Sequence, residues 1–306
     1  MAKLTIKDLL EAGCHFGHQT RRWNPKMKHF VYGAKNGISI IDLTKTMYQL
    51  NDACNFLQQV VVNGGDILFV GTKNQAQQVV KDAAEETSMF YVSERWLGGA
   101  LTNNVTIRQS IKKMYDIDKI LGSDSAKGMK KKELSQLTRR ATRLHKDLDG
   151  IAKMRKLPAA MIVVDVCKEE TAVREAKKLG IPVVAIVDTN GDPEMVDYPI
   201  AANDDAVRSI SVIIDLFTGA IKVANEIYQK RVVEEKEAKA AKAKAKADEK
   251  AAAKKAAAKK PAAKKAATKK PAAKKVADKK ATDKPAAKKP AAKKPAAKKE
   301  EAAKAE

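Results

Sequence analysis

Three short segments of this chain are apolar at almost every position: DILFVG at 66–71, AMIVVD at 160–165 and VVAIVD at 183–188. A strand with one wet face alternates apolar and polar residues, so runs of this kind mark strands covered on both faces. They fall far short of the ~18 apolar residues of a membrane span. Strands are predicted at Ile38–Ile41, Asp66–Val70, Met89–Val92, Ala160–Val164 and Val183–Val187. Helical stretches lie between them, at about 43–63, 74–87, 169–179 and 205–228, and Gly180 supplies a helix stop before Ile181 and Pro182. Strand–helix alternation with right-handed crossovers predicts an α/β fold, an open parallel sheet flanked by helices on both faces.

One connection is too long for that scheme. Between Val92 and Ala160 lie 67 residues with two helical seams. Ile107, Ile111, Met114, Ile117 and Leu121 form the first, and Leu134, Leu137, Ala141, Leu144, Leu148 and Ile151 the second. Steps of three and four residues put each set on one narrow stripe, and GSDSAKG at 122–128 supplies the turn. The expected structure is an inserted antiparallel, coiled-coil hairpin over about 103–157, projecting ~30 Å at 1.5 Å per residue.

Charge divides along the same boundaries. The net charge is +23, of which residues 231–306 carry +17, from 27 basic and 10 acidic side chains. No aromatic residue follows Tyr228, and the tail repeats Ala-Ala-Lys-Lys units broken by prolines at 261, 271, 285, 290 and 295. Alanine and lysine cannot bury enough surface to offset chain entropy. Residues 1–230 are therefore one α/β domain, and 231–306 a disordered basic tail with transient helix around 234–258. Loose contact with polyanions suits the tail. Within the domain, residues 103–157 carry +9, residues 1–102 +2 and residues 158–230 −5. A projecting basic hairpin is suited to a phosphate backbone. The acidic C-terminal half is expected to turn away from nucleic acid and towards a protein partner.

The run HFGHQTRRWNPKMKHFVYGAKNG at 15–37 is too polar and glycine-interrupted for a helix and reads as an irregular loop. The candidate nucleic-acid contacts are Arg21, Arg22, Trp23, Lys26 and Lys28 here, Arg95 beyond the third predicted sheet strand, and a hairpin set. That set comprises Arg108, Lys112, Lys113, Lys130, Lys131, Lys132, Arg139, Arg140 and Arg143. The cations suit phosphates; Trp23 and Phe30 either stack on unpaired bases or pin the loop to the core. His15 and His18 could join Asp188, Asp204 and Asp205, carboxylates that follow apolar segments, in a four-coordinate zinc site. The alternative is ordinary hydrogen-bonded histidines and strand-end carboxylates. No cofactor is required.

The N-terminus, MAKLTIKDLLEAG, reads as an amphipathic helix and not a signal peptide. Cys14, Cys54 and Cys167 are an odd, scattered set, which suits a reduced cytoplasmic protein. VGTKNQ at 70–75 sits where α/β proteins bind phosphates, yet it has neither a Walker nor a dinucleotide spacing. RWLGGALTN at 95–103 has no nucleophile with a base nearby, and Asp165 and Asp188 are carboxylates of the kind that cap turns. The chain is not expected to be an enzyme.

Several long motifs occur together in order: AGCHFGHQTRRWNPKM at 12–27, ILFVGTK at 67–73, RWLGG at 95–99, LTN at 101–103, RQSI at 108–111, LGIPVVAIVDTNGDP at 179–193, YPI at 198–200 and NDDAVRSI at 203–210. From Leu4 to Ile227 the chain resembles the bacterial small-subunit ribosomal protein S-two family. The resemblance implies a flavodoxin-like sheet with an inserted helical hairpin. It also implies a structural role bound to rRNA where head and body of the small subunit meet, late assembly, and placement of ribosomal protein S-one during translation initiation. Partners would be small-subunit rRNA and neighbouring ribosomal proteins including S-one, with no membrane. The family core does not account for the tail, whose composition suits the alternative of a nucleoid or chromatin-type DNA-binding protein.

Overall fold

The computed structural model describes residues 4–123 and 128–258. Helix α1, Ile6–Glu11, opens with a reciprocal cap in which the Thr5 and Asp8 side chains each accept from the other's backbone N–H. Three short strands follow: β1, Phe16–Gln19; β2, Val31–Lys35; and β3, Ile38–Ile41. They form an antiparallel sheet with β3 in the centre. The run at 15–37, expected as a loop, thus contains two strands, and Ile38–Ile41 belongs to this small antiparallel sheet and not to the parallel one. Asn36 and Gly37 have φ of 52° and 78°, the left-handed pair that closes a two-residue hairpin, so β2 folds back on β3.

The second sheet contains β4, Ile67–Val70; β5, Phe90–Val92; β6, Ala160–Val164; β7, Val183–Val187; and β8, Tyr198–Ala201. All are parallel, in the order β5-β4-β6-β7-β8. The sequence reading did not include β8, which carries Pro199. Its position at the sheet edge leaves one side of the strand without a neighbouring strand, so no ladder hydrogen bond is lost at proline.

The continuous apolar runs are explained by two cores, one on each face. Ile67, Phe69, Ile162, Val164, Val184 and Ile186 pack on one side with helices α2 (Leu43–Val62), α3 (Asn74–Thr87) and α7 (Val207–Ala258). The alternate residues Leu68, Val70, Met161, Val163, Ala185 and Val187 pack on the other with α6 (Glu170–Leu179) and the base of the hairpin. The parallel sheet with helices on both faces is the predicted α/β architecture, with β8 in place of the strand expected at Ile38–Ile41.

The hairpin helices are α4, Asn104–Gly122, and α5, Lys131–Ala152. Ile107, Ile111, Met114 and Ile117 are buried, as are Ala141, Leu148 and Ile151; Leu121, Leu134, Leu137 and Leu144 are only half-buried. The seam is therefore dry near the sheet and wetter towards its far end. Most of the predicted turn, 124–127, lies outside the described residues.

Helix α7 continues past 228 to Ala258. The sequence predicts transient helix at 234–258 inside a disordered tail. Alanine, lysine and glutamate are strong helix formers, and no proline occurs between Pro199 and Pro261. The tail expected at 259–306 lies outside the described residues. Among the described residues, no helix is long and apolar enough to cross a membrane.

Candidate functional site

The hairpin leaves the sheet through the segment RWLGGALTN, and Glu175 of α6 holds that segment. Its carboxylate accepts from the Trp96 indole N–H at 3.1 Å and from the Gly99 backbone at 2.7 Å. It also accepts from the Leu101 backbone at 3.1 Å and from the Thr102 backbone and hydroxyl at 3.2 Å each. Burial works against the charge, but these donors outweigh it and keep the carboxyl below its ordinary range. On the returning helix, Gly150 lies against the Tyr91 backbone, and a Cβ there would fall inside the carbonyl oxygen's contact distance. Lys146 Nζ reaches Glu94 at 2.8 Å. The base of the hairpin is thus fixed from three sides.

Beyond that base, Arg108, Lys112, Lys113, Lys130, Lys131, Lys132, Arg139, Arg140 and Arg143 are all exposed, as is Arg95. Arg108 is oriented by Asn104, whose Oδ1 accepts from Nε at 2.6 Å, and by the Arg155 carbonyl. His145 of α5 bridges Asp118 of α4 at 2.9 Å and Asp149 at 2.8 Å. Hydrogen bonds to these carboxylates raise its pKa.

The N-terminal loop docks on the carboxyl end of β7. The Asn24 N–H donates to the Thr189 carbonyl at 2.8 Å, and the His18 N–H to the Thr189 hydroxyl at 2.9 Å. Met27, fully buried, plugs the loop into the second core, and Phe30 packs beside it. Trp23 remains 36% exposed, so Met27 and Phe30 do the pinning and Trp23 stays accessible. Arg21, Arg22 and Lys28 are exposed. Lys26 differs: its ammonium lies 2.8 Å from Asp192 and 2.6 Å from Glu194. The basic loop and the acidic C-terminal half therefore meet, a contact the charge count alone did not anticipate.

A charged cluster lies below this loop, at the carboxyl ends of the parallel strands, where α/β sheets place ligands. His18, Asp188, Asp204 and Asp205 bring one ligand atom each to within 4.8 Å of one another. His18 Nδ1 is 2.7 Å from Asp188, and that hydrogen bond raises the imidazole pKa. Lys73, which follows β4, points into the same cluster, 2.8 Å from Asp204, 2.7 Å from Asp205 and 3.5 Å from Asp165. Burial opposes the ammonium charge, yet these carboxylates keep the Lys73 pKa raised. Asp204 is only 1% exposed; burial and the neighbouring Asp165 push its carboxyl up to about 7, with Lys73 pulling the other way. Its second oxygen, Oδ2, is buried without a hydrogen-bond partner.

Of the five predicted metal-ligand candidates, the structure assembles four. It leaves out His15, whose ring lies against Phe16 with centroids 3.9 Å apart. Histidines three apart on an irregular, partly extended segment do not share a face as they would on a helix, so only His18 turns inward. Lys73 and Glu175 escaped the sequence reading. The position of Lys73 directly after a buried strand could have flagged it, but nothing local marks Glu175, whose partners are 73 to 79 residues away.

Comparison with known proteins agrees with the fold and these motifs. The family model described as "Ribosomal protein S2" matches residues 9–224. The small ribosomal subunit protein uS2 of Protochlamydia amoebophila (strain UWE25) is 50% identical over 239 residues, covering 77% of this chain and 88% of that protein. The protein of the same name from Corynebacterium jeikeium (strain K411) is 48% identical over 242 residues, covering 79% and 87%. With most of its folded part matched in this way, the chain belongs to the ribosomal protein S2 family.

Proposed function

We propose that this chain is a structural, non-enzymatic constituent of the small ribosomal subunit in the cytoplasm, holding rRNA with its N-terminal loop and its hairpin. The observation that carries this reading is the row of exposed cations on a hairpin whose base is locked by Glu175 and Gly150. A rigid basic arm orders few groups on binding, so phosphate neutralisation and shape can supply the affinity. Arg21, Arg22, Trp23 and Lys28 form the loop contact; Lys26 is partly neutralised by Asp192 and Glu194. Supporting late assembly, docking ribosomal protein S-one and assisting initiation are the finer roles, with neighbouring small-subunit proteins as partners.

The test is co-sedimentation of the full-length chain with small subunits at high salt. Reversing charge at Lys112, Lys113, Arg139 and Arg140 should weaken binding and flatten its salt dependence. Unchanged binding and slope would remove the hairpin from the interface. Deleting 236–306 should leave association largely intact; abolished association would favour the DNA-binding alternative instead.

A second reading concerns the strand-end cluster. Its imidazole and carboxylate donors fit zinc, and the unpartnered Asp204 Oδ2 supplies the open ligand position. Lys73 is the resident competitor for the same carboxylates. Metal analysis of the purified full-length chain against His18→Ala should show zinc lost with the variant; equal metal content in both would exclude the site.

A further inference from the structure

One face of α4 carries Arg108, Lys112, Tyr115 and Lys119, at steps of four, three and four residues. That spacing makes a single ridge along the helix. All four line the same groove, and all are exposed. Tyr115 is the sole aromatic residue in 103–157 and is 44% exposed. It also borders the crevice at the base of the hairpin near Tyr91 and Gly150, so its environment on that side is fixed. Among the described residues, Lys112 and Lys119 have no ion-pair partner, and Arg108 is held in place by Asn104. The acidic neighbours do not cancel this row. Asp118 is bonded to His145 of the other helix, which leaves Asp116 as the remaining acidic side chain in the groove.

A helix lying along a duplex backbone needs cations alone. An exposed tyrosine set among cations adds a flat surface on which a base can stack, and a base is available for stacking only when it is unpaired. We propose that this ridge receives a splayed-out nucleotide of rRNA, its base on the Tyr115 ring and its flanking phosphates on Lys112 and Lys119. Arg108 contacts the next phosphate along. The ridge spans ~16 Å from Arg108 to Lys119 at 1.5 Å per residue, enough for a few nucleotides. This inference rests on the rRNA-binding reading above and adds a nucleotide-level contact to it.

The experiment measures binding of the full-length chain to small subunits stripped of this protein, across a salt series. Tyr115→Ala should weaken binding about 10-fold with the salt slope unchanged, since stacking releases no counterions. Tyr115→Phe should bind like the wild type. Lys112→Glu with Lys119→Glu should lower the slope by roughly 1.5. Thermal melts of each variant establish that the chain is folded. Undiminished binding by Tyr115→Ala, or a loss by Tyr115→Phe as large as that of Tyr115→Ala, would overturn the stacked base. Failure of the wild-type chain to bind would overturn the rRNA-binding reading and this inference together, so the two failures are distinguishable.

Discussion

Glu175 accepts the backbone N–H of Gly99 at 2.7 Å, tying the helix before β7 to the segment that launches the hairpin. The same carboxylate takes four more donors from Trp96, Leu101 and Thr102. Replacing it with alanine leaves buried donors without an acceptor, and should cost on the order of 3 kcal/mol. Glutamine keeps one acceptor oxygen and should lose about half as much. Urea unfolding of both variants checks the order; equal stability of Glu175→Ala and wild type would show that the knot is not needed for the fold.

Gly150→Ala should destabilise the chain even though alanine is the better helix former by about 1 kcal/mol. The added Cβ meets the Tyr91 carbonyl and ring, so α5 must move off β5. Denaturant midpoints measure the sign, and a raised midpoint would show that the close approach relaxes freely.

Lys73→Met removes the cation facing Asp165, Asp204 and Asp205. Breaking one partner of such a group should cost about 3–5 kcal/mol. Adding Asp204→Asn should recover part of the loss, a coupling that a double-mutant cycle reads directly. Strict additivity of the two substitutions would contradict the shared network.

Loop cations should not contribute equally to rRNA affinity. Arg22 is exposed, whereas Lys26 is held by Asp192 and Glu194. Arg22→Ala should therefore reduce the salt slope of subunit binding by close to the roughly 0.7–0.9 expected for one phosphate contact, and Lys26→Ala by less. The reverse order would show that Lys26 exchanges its carboxylates for phosphate on binding.

The His145 bridge makes the α4–α5 pairing sensitive to pH. Its pKa is raised above the ordinary 6.5, first by the hydrogen bond to Asp118 and then by that to Asp149. The imidazolium binds its proton more tightly folded than unfolded. Its contribution is complete below pH 6.5 and disappears as pH rises through the folded value. Melting temperature followed upward from pH 6 should fall more in the wild type than in His145→Gln; parallel curves would exclude the bridge as the source.

Legibility varied by element for physical reasons. The strands β4, β6 and β7 were readable because each is covered on both faces, so nearly every side chain had to be apolar. The hairpin was readable because its seam repeats every three to four residues. The small antiparallel sheet was not: β1 and β2 contain no fully buried residue, and their pairing depends on the turn at Asn36–Gly37 and on docking against Thr189. At the strand ends, His18 and three of the carboxylates were recognisable by type, while Lys73 and Glu175 were not. Their partners lie far along the chain, and local spacing carries no trace of a contact made across the fold.

By itself, the sequence determined the α/β class, the inserted hairpin and the division of charge among hairpin, acidic half and tail, because burial periodicity and net charge are local properties of residue order. Only the tertiary structure decided which cations stay free, which are neutralised, and how the hairpin is anchored. Lys26 meets Asp192, Lys73 meets Asp204 and Glu175 meets Gly99 through crossovers that bring the ends of distant strands and helices together. Electrostatic and hydrogen-bond energies depend on those final distances, which exist only once the chain has closed on itself.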